Sequence, residues 1–437
     1  KIDPSDPYEE DIKFTQGKKI AVLGSGFVGS LAFTFSDSFW FSAVEAEVYA
    51  MAICLMAVLF WLVLRWADEM HKPRGNKWLV LISLVIGLAF GVHLMGLLTI
   101  PALGMIYYFK NYNETTIPGF ILANVISVAI LLFVFKFIPP TTLSIFWGME
   151  VFFVNTFGLP FNSGYIIAGL SFVGVFYFAI NYTRKKNYRL LNTITLCLAF
   201  ILVGFSTWFM IPIRANSDIV VNENQPSNAH LLLAYYNLEQ YPETHVLYGP
   251  MYTDIYGGLD KKQPYIDDKP RYEKSEALDK YIIVNQWKGA KQNSDGSHRG
   301  FLPRMWSSEH AVNYMEYSGL LDFEIKPEYR GEKQIVEIID DFKKRAANGE
   351  VYAEDFEKYL KKIREYINVK PPTFGQNLHY LLNYQMGYMY WRYFMWNFVG
   401  RQDDIQGKLD NHGNWISGIK FIDEIHLGAS QDNLPSD

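Results

Sequence analysis

The chain is 437 residues long and carries 45 acidic against 40 basic side chains, a net charge of -5, with no basic tract suited to a phosphate backbone; no nucleic-acid partner is expected. Mean hydropathy is near zero, but it averages two unlike parts: between Ile20 and Ile213 charges are scarce, whereas from Arg214 onward Asp, Glu, Lys and Arg recur every few residues. The two cysteines, Cys54 and Cys197, both stand in apolar runs and read as small buried hydrophobes, which argues against a disulfide framework or a thiolate metal site.

The sequence opens at Lys1 with neither a methionine nor a cleavable signal sequence, so further residues are expected upstream. Residues 1–19, with Lys18 and Lys19, are predicted to be a cytoplasmic lead-in. A hydrocarbon core of about 30 Å takes roughly 20 apolar residues as helix, and the runs 20–41, 44–64, 119–138, 164–182 and 190–213 each come near that. The run 78–109 is too long for one simple crossing and carries Gly87, Gly91, His93, Gly96 and Pro101 in its middle. It is either one kinked helix or two short ones, 78–92 and 94–109. Loop charge decides. Arg65, His71, Lys72, Arg74 and Lys77 hold one loop on the cytoplasmic side, and Arg184, Lys185, Lys186 and Arg189 hold another there. One helix would put those loops on opposite sides, whereas two helices put both inside, with Lys110. About seven passes follow over residues 20–213. The segments 36–43, around His93, 139–163 and 214–437 then face outward.

The Gly24-Ser-Gly26-Phe-Val-Gly29 segment fits the dinucleotide fingerprint G-x-G-x-x-G after an apolar stretch. That fold also requires a second buried strand ending in an acid. Here Glu45 and Glu47 stand at the head of an apolar helical run instead, and only membrane-length runs follow. The glycines serve equally as small residues that let membrane helices approach.

The polar half, 214–437, mixes patterns. Val246-Leu-Tyr-Gly249 and Tyr281-Ile-Ile-Val-Asn285 read as short buried strands, while 333–348 and 353–367 have helical periodicity. The predicted fold class is an α-helical polytopic membrane domain followed by an α+β extracytoplasmic domain. Residues 377–400 crowd Tyr380, Tyr384, Tyr388, Trp391, Tyr393 and Trp396 into one predicted helix. It is either a core helix or one lying at the bilayer interface, where rings with polar tips are favoured.

Ionisable residues at membrane depth are costly and mark functional sites. Three carboxylates, Asp37, Glu45 and Glu47, converge in the first outward turn. Glu45 and Glu47 point to different sides of a helix, so one of them is expected to face any cleft, and the alternative is that they cap the helix that follows. His93, between Gly91 and Gly96, is either a satisfied core histidine or a site residue opposite Asp37. Arg214, at the exit of the last apolar run, either anchors the interface or pairs with a lipid phosphate. Trp147 and Glu150 are placed to line the same vestibule. No zinc-ligand spacing, G-x-x-x-x-G-K loop or G-x-S-x-G elbow is present, which removes the usual support for ATPase and hydrolase chemistry. An outward acidic and aromatic vestibule beside an arginine suits sugar transfer from a lipid-phosphate carrier. A carboxylate deprotonates the acceptor hydroxyl, while cationic groups or a divalent metal ion steady the departing phosphate.

The segments Ser36-Asp-Ser-Phe-Trp-Phe-Ser-Ala-Val-Glu-Ala-Glu-Val-Tyr-Ala50, Gly91-Val-His-Leu-Met-Gly96, Ile211-Pro-Ile-Arg-Ala-Asn216, Asn222-Glu-Asn-Gln-Pro-Ser-Asn228, Leu247-Tyr-Gly-Pro250 and Met395-Trp-Asn-Phe-Val-Gly-Arg-Gln402 resemble the bacterial branch of the protein O-mannosyltransferase-like membrane proteins, a family long known only as a domain of unknown function. The resemblance spans nearly all of the chain. It implies the GT-C class, a multi-pass enzyme of the bacterial cytoplasmic (inner) membrane with its C-terminal domain in the periplasm. Its donor would be a polyprenyl-phosphate sugar and its acceptor an exported protein. The resemblance also implies that the best-attested catalytic acid sits in an earlier outward loop, before Lys1, and that relatives continue with more helices past Leu434-Pro435. Asp37, Glu47 and His93 are then expected in supporting catalytic roles, and Glu45, Trp147, Glu150 and Arg214 in substrate binding, with no metal ligand assigned. The competing class is a non-enzymatic component of a secretion or envelope-assembly machine whose outer domain binds a partner. A transporter trails, because seven passes show no paired inverted halves.

Overall fold

In the computed structural model, which describes residues 15–217, 219–407, 410–428 and 433–435 but not the side chain of Ser38, the chain divides into two compact units. One comprises Lys1–Tyr241 with Lys274–Ile282, the other Pro242–Glu273 with Ile283–Asp437.

The first unit is helical: α1 Gln16–Thr34, α2 Asp37–Val44, α3 Tyr49–Glu69, α4 Lys77–Phe90, α5 Thr99–Asn111, α6 Ile117–Leu132, α7 Ile138–Phe157, α8 Ser163–Lys185, α9 Arg189–Phe205, α10 Met210–Ala215 and α11 Ala229–Tyr236. Among the described residues four stretches are long and apolar enough to cross a membrane, Tyr49–Glu69, Ile117–Phe157, Ser163–Lys185 and Arg189–Ala215, and α4 is a shorter apolar helix. They fit a multi-pass membrane protein. Leu170, Val173, Phe178 and Leu190 stand exposed along them, an arrangement that water penalises at about 25 cal/mol per Å² and hydrocarbon does not.

The core of this unit is centred on α4 and α9. A Cβ on Gly87 would lie 2.3 Å from the Ile201 carbonyl oxygen, and one on Gly204 2.5 Å from that of Leu84, so glycine at both positions lets the two backbones touch. Leu59, Leu62, Ile82, Ile86, Phe90 and Phe205 pack around the crossing. Two polar contacts sort the loops by end. Asn76 Nδ2 donates to Thr193 Oγ1 at 3.1 Å, and Asn111 Nδ2 lies 3.3 Å from Met70 Sδ. The loops 70–76, 112–116 and 186–188 therefore share one end. At the other, Gly91 packs on Thr207 and Trp208 Nε1 donates to the Phe90 carbonyl.

Several elements differ from the sequence expectation. The run 20–41 is two helices, because the chain turns at Phe35-Ser36, where Ser36 Oγ donates back to the Phe33 carbonyl at 2.8 Å. The next helix starts at Tyr49 rather than residue 44. Gly24, Gly26 and Gly29 lie inside α1, and the residues leading into them from Gln16 are helix rather than strand, so the dinucleotide fingerprint lacks its required context. Cys54 is exposed on α3 rather than buried, and Cys197 is half-buried; both are free thiols. The run 78–109 divides at His93, which is extended between α4 and a 3₁₀ turn, Leu94–Leu98. Most of the segment 139–163 is helix, because α6 continues through a π-helical turn, Phe133–Phe137, into α7. Pro139 and Pro140 do not stop it, because the helix is widened just before them and the Phe135 carbonyl, which Pro139 has no N–H to meet, accepts the Tyr236 hydroxyl instead. The continuous helix has 41 residues, about 60 Å, so a straight crossing uses about half of it.

The second unit is α+β, with three antiparallel strand pairs: Tyr248–Pro250 with Arg299–Phe301, Tyr265–Ile266 with Lys291–Gln292, and Phe323–Ile325 with Ile367–Val369. Its helices are α12 Asp254–Gly257, α13 Ala311–Ser318, α14 Lys333–Ala347, α15 Ala353–Ile363, α16 Phe374–His379, α17 Tyr393–Phe398 and α18 Lys420–Leu427. Tyr252, Met305, Tyr314, Phe323, Phe356 and Leu360 form its core. Helices α14 and α15 coincide with the periodic segments read from the sequence. The aromatic segment 377–400 is helical too, but between α16 and α17 it widens into a π-helix, Tyr380–Arg392.

One buried base gives this unit a pH dependence. His298 sits behind Gly257, its Nδ1 3.0 Å from Thr253 Oγ1, and burial pushes its pKa below the ordinary 6.5. The folded state therefore favours neutral His298. The associated stability is present above pH 6.5 and is lost as pH falls below it, because the unfolded chain takes up the proton first. Thermal melts between about pH 7 and about pH 5 should show a steeper loss of stability in the wild type than in His298→Gln. Parallel profiles would contradict this.

Candidate functional site

The end of the helical unit marked by Gly91 and Thr207 gathers most of the candidate residues. Asp37 lies in the first turn of α2, where negative charge meets the positive end of the helix dipole. Glu45 is the C-cap of the same helix, the end at which a carboxylate is disfavoured. The predicted capping role of Glu45 and Glu47 toward the following helix is not used, since Val48 is the N-cap of α3 and its first turn holds no acid. All three carboxylates are exposed, and among the described residues none makes an ion pair or a side-chain hydrogen bond.

His93 is half-buried. Its Nδ1 accepts the Met95 backbone N–H at 3.1 Å, which leaves Nε2 as the ring's other nitrogen. The ring lies 5.5 Å from that of Tyr49, so the ring that meets it is at the head of α3.

Glu150 on α7 is fully buried. One carboxylate oxygen accepts the Asn162 N–H at 2.7 Å and the Tyr281 hydroxyl at 3.1 Å, and the other accepts the Tyr165 N–H at 3.2 Å. A Cβ on Gly164 would stand 2.2 Å from Glu150 Cα, so only glycine lets the start of α8 come this near. Tyr281 is held from several sides. Asn155 Nδ2 donates to its carbonyl and Asn155 Oδ1 accepts its N–H, both at 2.9 Å, and the rings of Trp147 and Phe161 meet it edge-on at 5.0 and 5.2 Å. Burial, then Tyr165 and Glu150, push the Tyr281 phenol far above its usual pKa, so the proton stays on the phenol. Trp147 stacks on His230 at 5.2 Å. The expected vestibule pair is therefore engaged within the protein, Glu150 as a latch and Trp147 as packing between α7 and α11.

Arg214, on α10, is exposed and has no side-chain partner among the described residues. Beside it lies a cleft of about 530 Å³ whose lining includes Asn162, Tyr165, Pro212, Asn216, Ser227 and Asn228. Asn216 Nδ2 donates to the carbonyls of Pro212 and Ser227, both at 2.7 Å. Asn228 Oδ1 caps α11 by accepting the Leu231 N–H at 2.9 Å. A second cleft, about 460 Å³ and almost wholly apolar, lies among α7, α8 and α9 and shares Phe146 and Phe209 with the first. Both clefts are mainly apolar, and the first adds polar side chains from Asn162, Tyr165, Asn216, Ser227 and Asn228. Sequence reasoning had Ile211–Asn216 and Asn222–Asn228 as separate motifs, and nothing in their spacing showed that they close one cleft. Among the described residues no group of three or more His, Cys, Asp or Glu is gathered to hold a metal ion.

Comparison with known families matches residues 6–116 to the protein O-mannosyl-transferase TMEM260 N-terminal domain and residues 242–382 to a family of unknown function (DUF8416). No curated protein and no solved structure matches the chain. The first match supports an O-mannosyltransferase-like family for the N-terminal part, and it contains Asp37, Glu45, Glu47 and His93. Trp147, Glu150 and Arg214 lie outside both matched segments.

The latch is testable through stability. Glu150→Ala takes the acceptor from three donors, the buried Tyr281 hydroxyl and the partly buried Asn162 and Tyr165 N–H groups, a buried one costing about 1–3 kcal/mol, and Tyr281→Phe removes one. The melting temperature in detergent is expected to fall in both, and further in Glu150→Ala. A Glu150→Ala protein that melts with the wild type would contradict the latch.

Proposed function

We propose that the chain is a membrane glycosyltransferase that moves a sugar, mannose or a close analogue, from a polyprenyl-phosphate carrier to a hydroxyl of an exported protein. The observation that carries this reading is the match of residues 6–116 to an O-mannosyl-transferase N-terminal domain, in a segment that holds three carboxylates uncommitted to the fold. Polar side chains without a structural partner, one at the disfavoured end of a helix, are expected where local order yields to function. The two neighbouring clefts support the lipid donor: the apolar one suits an isoprenoid and the asparagine-lined one a phosphate sugar, and Arg214 follows the lining residues Pro212 and Ile213 in the chain, a cation with no side-chain partner among the described residues.

In the proposed reaction a carboxylate, Asp37 or Glu47, takes the proton of the acceptor hydroxyl as that oxygen bonds to the anomeric carbon. The bond from the anomeric carbon to the phosphate oxygen breaks, and its electron pair leaves on the polyprenyl phosphate. Arg214 steadies that charge. His93 donates from Nε2 to a substrate oxygen, and Glu45 orients the sugar hydroxyls. The GT-C class and transfer on the outer face of a bacterial cytoplasmic membrane, with residues 214–437 periplasmic, belong to the same proposal and are supported by the basic loops that share one end of the helical unit.

Membranes containing the protein, given a radiolabelled polyprenyl-phosphate sugar, should place label in protein. Asp37→Asn and Glu47→Gln are the carboxylate variants. At an unchanged protein level, at least one of them should reduce transfer by about 100-fold or more, and Arg214→Gln should raise the KM for donor. No label in protein, or unaltered transfer in all three variants, would overturn the proposal.

A further inference from the structure

The aromatic helix has a cavity of its own. Between α16 and α17 the backbone widens into the π-helix Tyr380–Arg392, a form that is rare and often marks functional sites. Side chains four apart stack along it. The rings of Tyr380 and Tyr384 lie 5.0 Å apart at 25°, those of Tyr384 and Tyr388 5.8 Å apart at 14°, and the Arg392 guanidinium continues the stack 4.3 Å from the Tyr388 ring.

A loop built from the Met395–Gln402 motif and the residues after it folds back over this stack. The Gln402 N–H donates to the Asn414 carbonyl at 3.0 Å, and Asn414 Nδ2 donates to Gln402 Oε1 at 2.7 Å. The buried Asp403 accepts the Gly413 N–H at 3.0 Å and meets His412 Nδ1 at 2.6 Å. Trp396 Nε1 donates to the Asp403 carbonyl at 3.0 Å. Arg392 Nη1 then donates to the Gly413 carbonyl, joining loop to helix. A Cβ on Gly413 would come within 2.7 Å of that Nη1, so the loop approaches this closely only with glycine there. What remains between loop and helix is a pocket of about 440 Å³, lined by Tyr384, Tyr388, Met389, Arg392, Tyr393 and Gln406 with Gly407. It lies outside both family-matched segments.

The lining selects a ligand chemistry. Tyrosines offer apolar faces with hydroxyl tips, and a guanidinium and a carboxamide add planar donors held at fixed angles. Arg392 gives Nε to the Tyr388 carbonyl at 3.2 Å and one Nη1 hydrogen to Gly413, which leaves the second Nη1 hydrogen and both on Nη2. One guanidinium with no second cation in the lining suits a rim of neutral hydroxyls better than a doubly charged phosphate, and the positive charge disfavours a cationic guest. A ring with C–H faces and a rim of hydroxyls meets every group present. We infer that this pocket is a carbohydrate-binding site for a hexopyranose unit, with the Tyr393 ring against the sugar, the edges and hydroxyl tips of Tyr384 and Tyr388 beside it, and Arg392 and Gln406 bonding its hydroxyls. The inference stands independently of the transfer reaction.

The full chain in lipid nanodiscs, free of sugar-headed detergents, would be titrated with the methyl glycosides of mannose, glucose and N-acetylglucosamine, read by saturation-transfer NMR and calorimetry. At least one glycoside should bind saturably. Gln406→Ala, which alters an exposed side chain, and Tyr393→Ala should each weaken that binding about tenfold or more, while Tyr390→Ala, on the same helix outside the pocket, should leave it unchanged. Absence of saturable binding by all three glycosides, or undiminished binding in Gln406→Ala, would overturn the inference even if Tyr393→Ala failed to fold.

Discussion

The constraint on which the first half of this protein depends is that hydrocarbon offers no partner to a backbone amide or carbonyl. Helix satisfies those groups internally, which is why the stretch Tyr49–Ala215 is almost all helix and why its outward rows are Leu, Ile, Val and Phe. The same solvent removes the usual hydrophobic drive for helices to associate, so packing rests on close backbone contact. Gly87 against Gly204 and Gly164 against Glu150 provide it, and side chains at either position would force the helices apart.

Against that background the polar groups divide into committed and uncommitted. Glu150, Asn155, Asn216 and Asn228 are spent on the protein's own backbone and fasten α7, α8, α10, α11 and the 274–282 segment together. Asp37, Glu45, Glu47 and Arg214 are spent on nothing within the described residues. His93 falls between, with one nitrogen tied to the chain and the other free. A buried carboxylate with three donors is architecture, whereas exposed carboxylates in a turn, one at the wrong end of a helix dipole, are what a reaction can use.

Much of this was legible in the sequence because it is local. The length of 78–109 and the glycines around His93 forecast a break there, and the charged faces of α14 and α15 forecast helices. Elsewhere local signals misled: the apolar run read as ending at 138, whereas the helix continues through Pro139 and Pro140 by way of the π-turn before them. The partners of Glu150 could not be foreseen, since Tyr281 lies far along the chain in the polar half and nothing in its neighbourhood announces a buried carboxylate. Nor could the bond that His93 accepts from the Met95 amide. The tyrosine stack was visible in part. Their spacing of four already puts those rings on one helix face, but the π-widening of the backbone has no known signature in the residues themselves.

The central claim is that a bilayer separates the basic loops from the polar half of the chain. It is tested most directly by single cysteines in a background lacking Cys54 and Cys197. His71→Cys and Ser297→Cys place exposed thiols in the 70–76 loop and in the second unit. A membrane-impermeant maleimide applied to intact cells, with outer barriers opened, is expected to label position 297 at once and position 71 only after the cytoplasmic membrane is permeabilised. Equal labelling of both before permeabilisation, or of neither, would contradict a chain threaded through a membrane in this way.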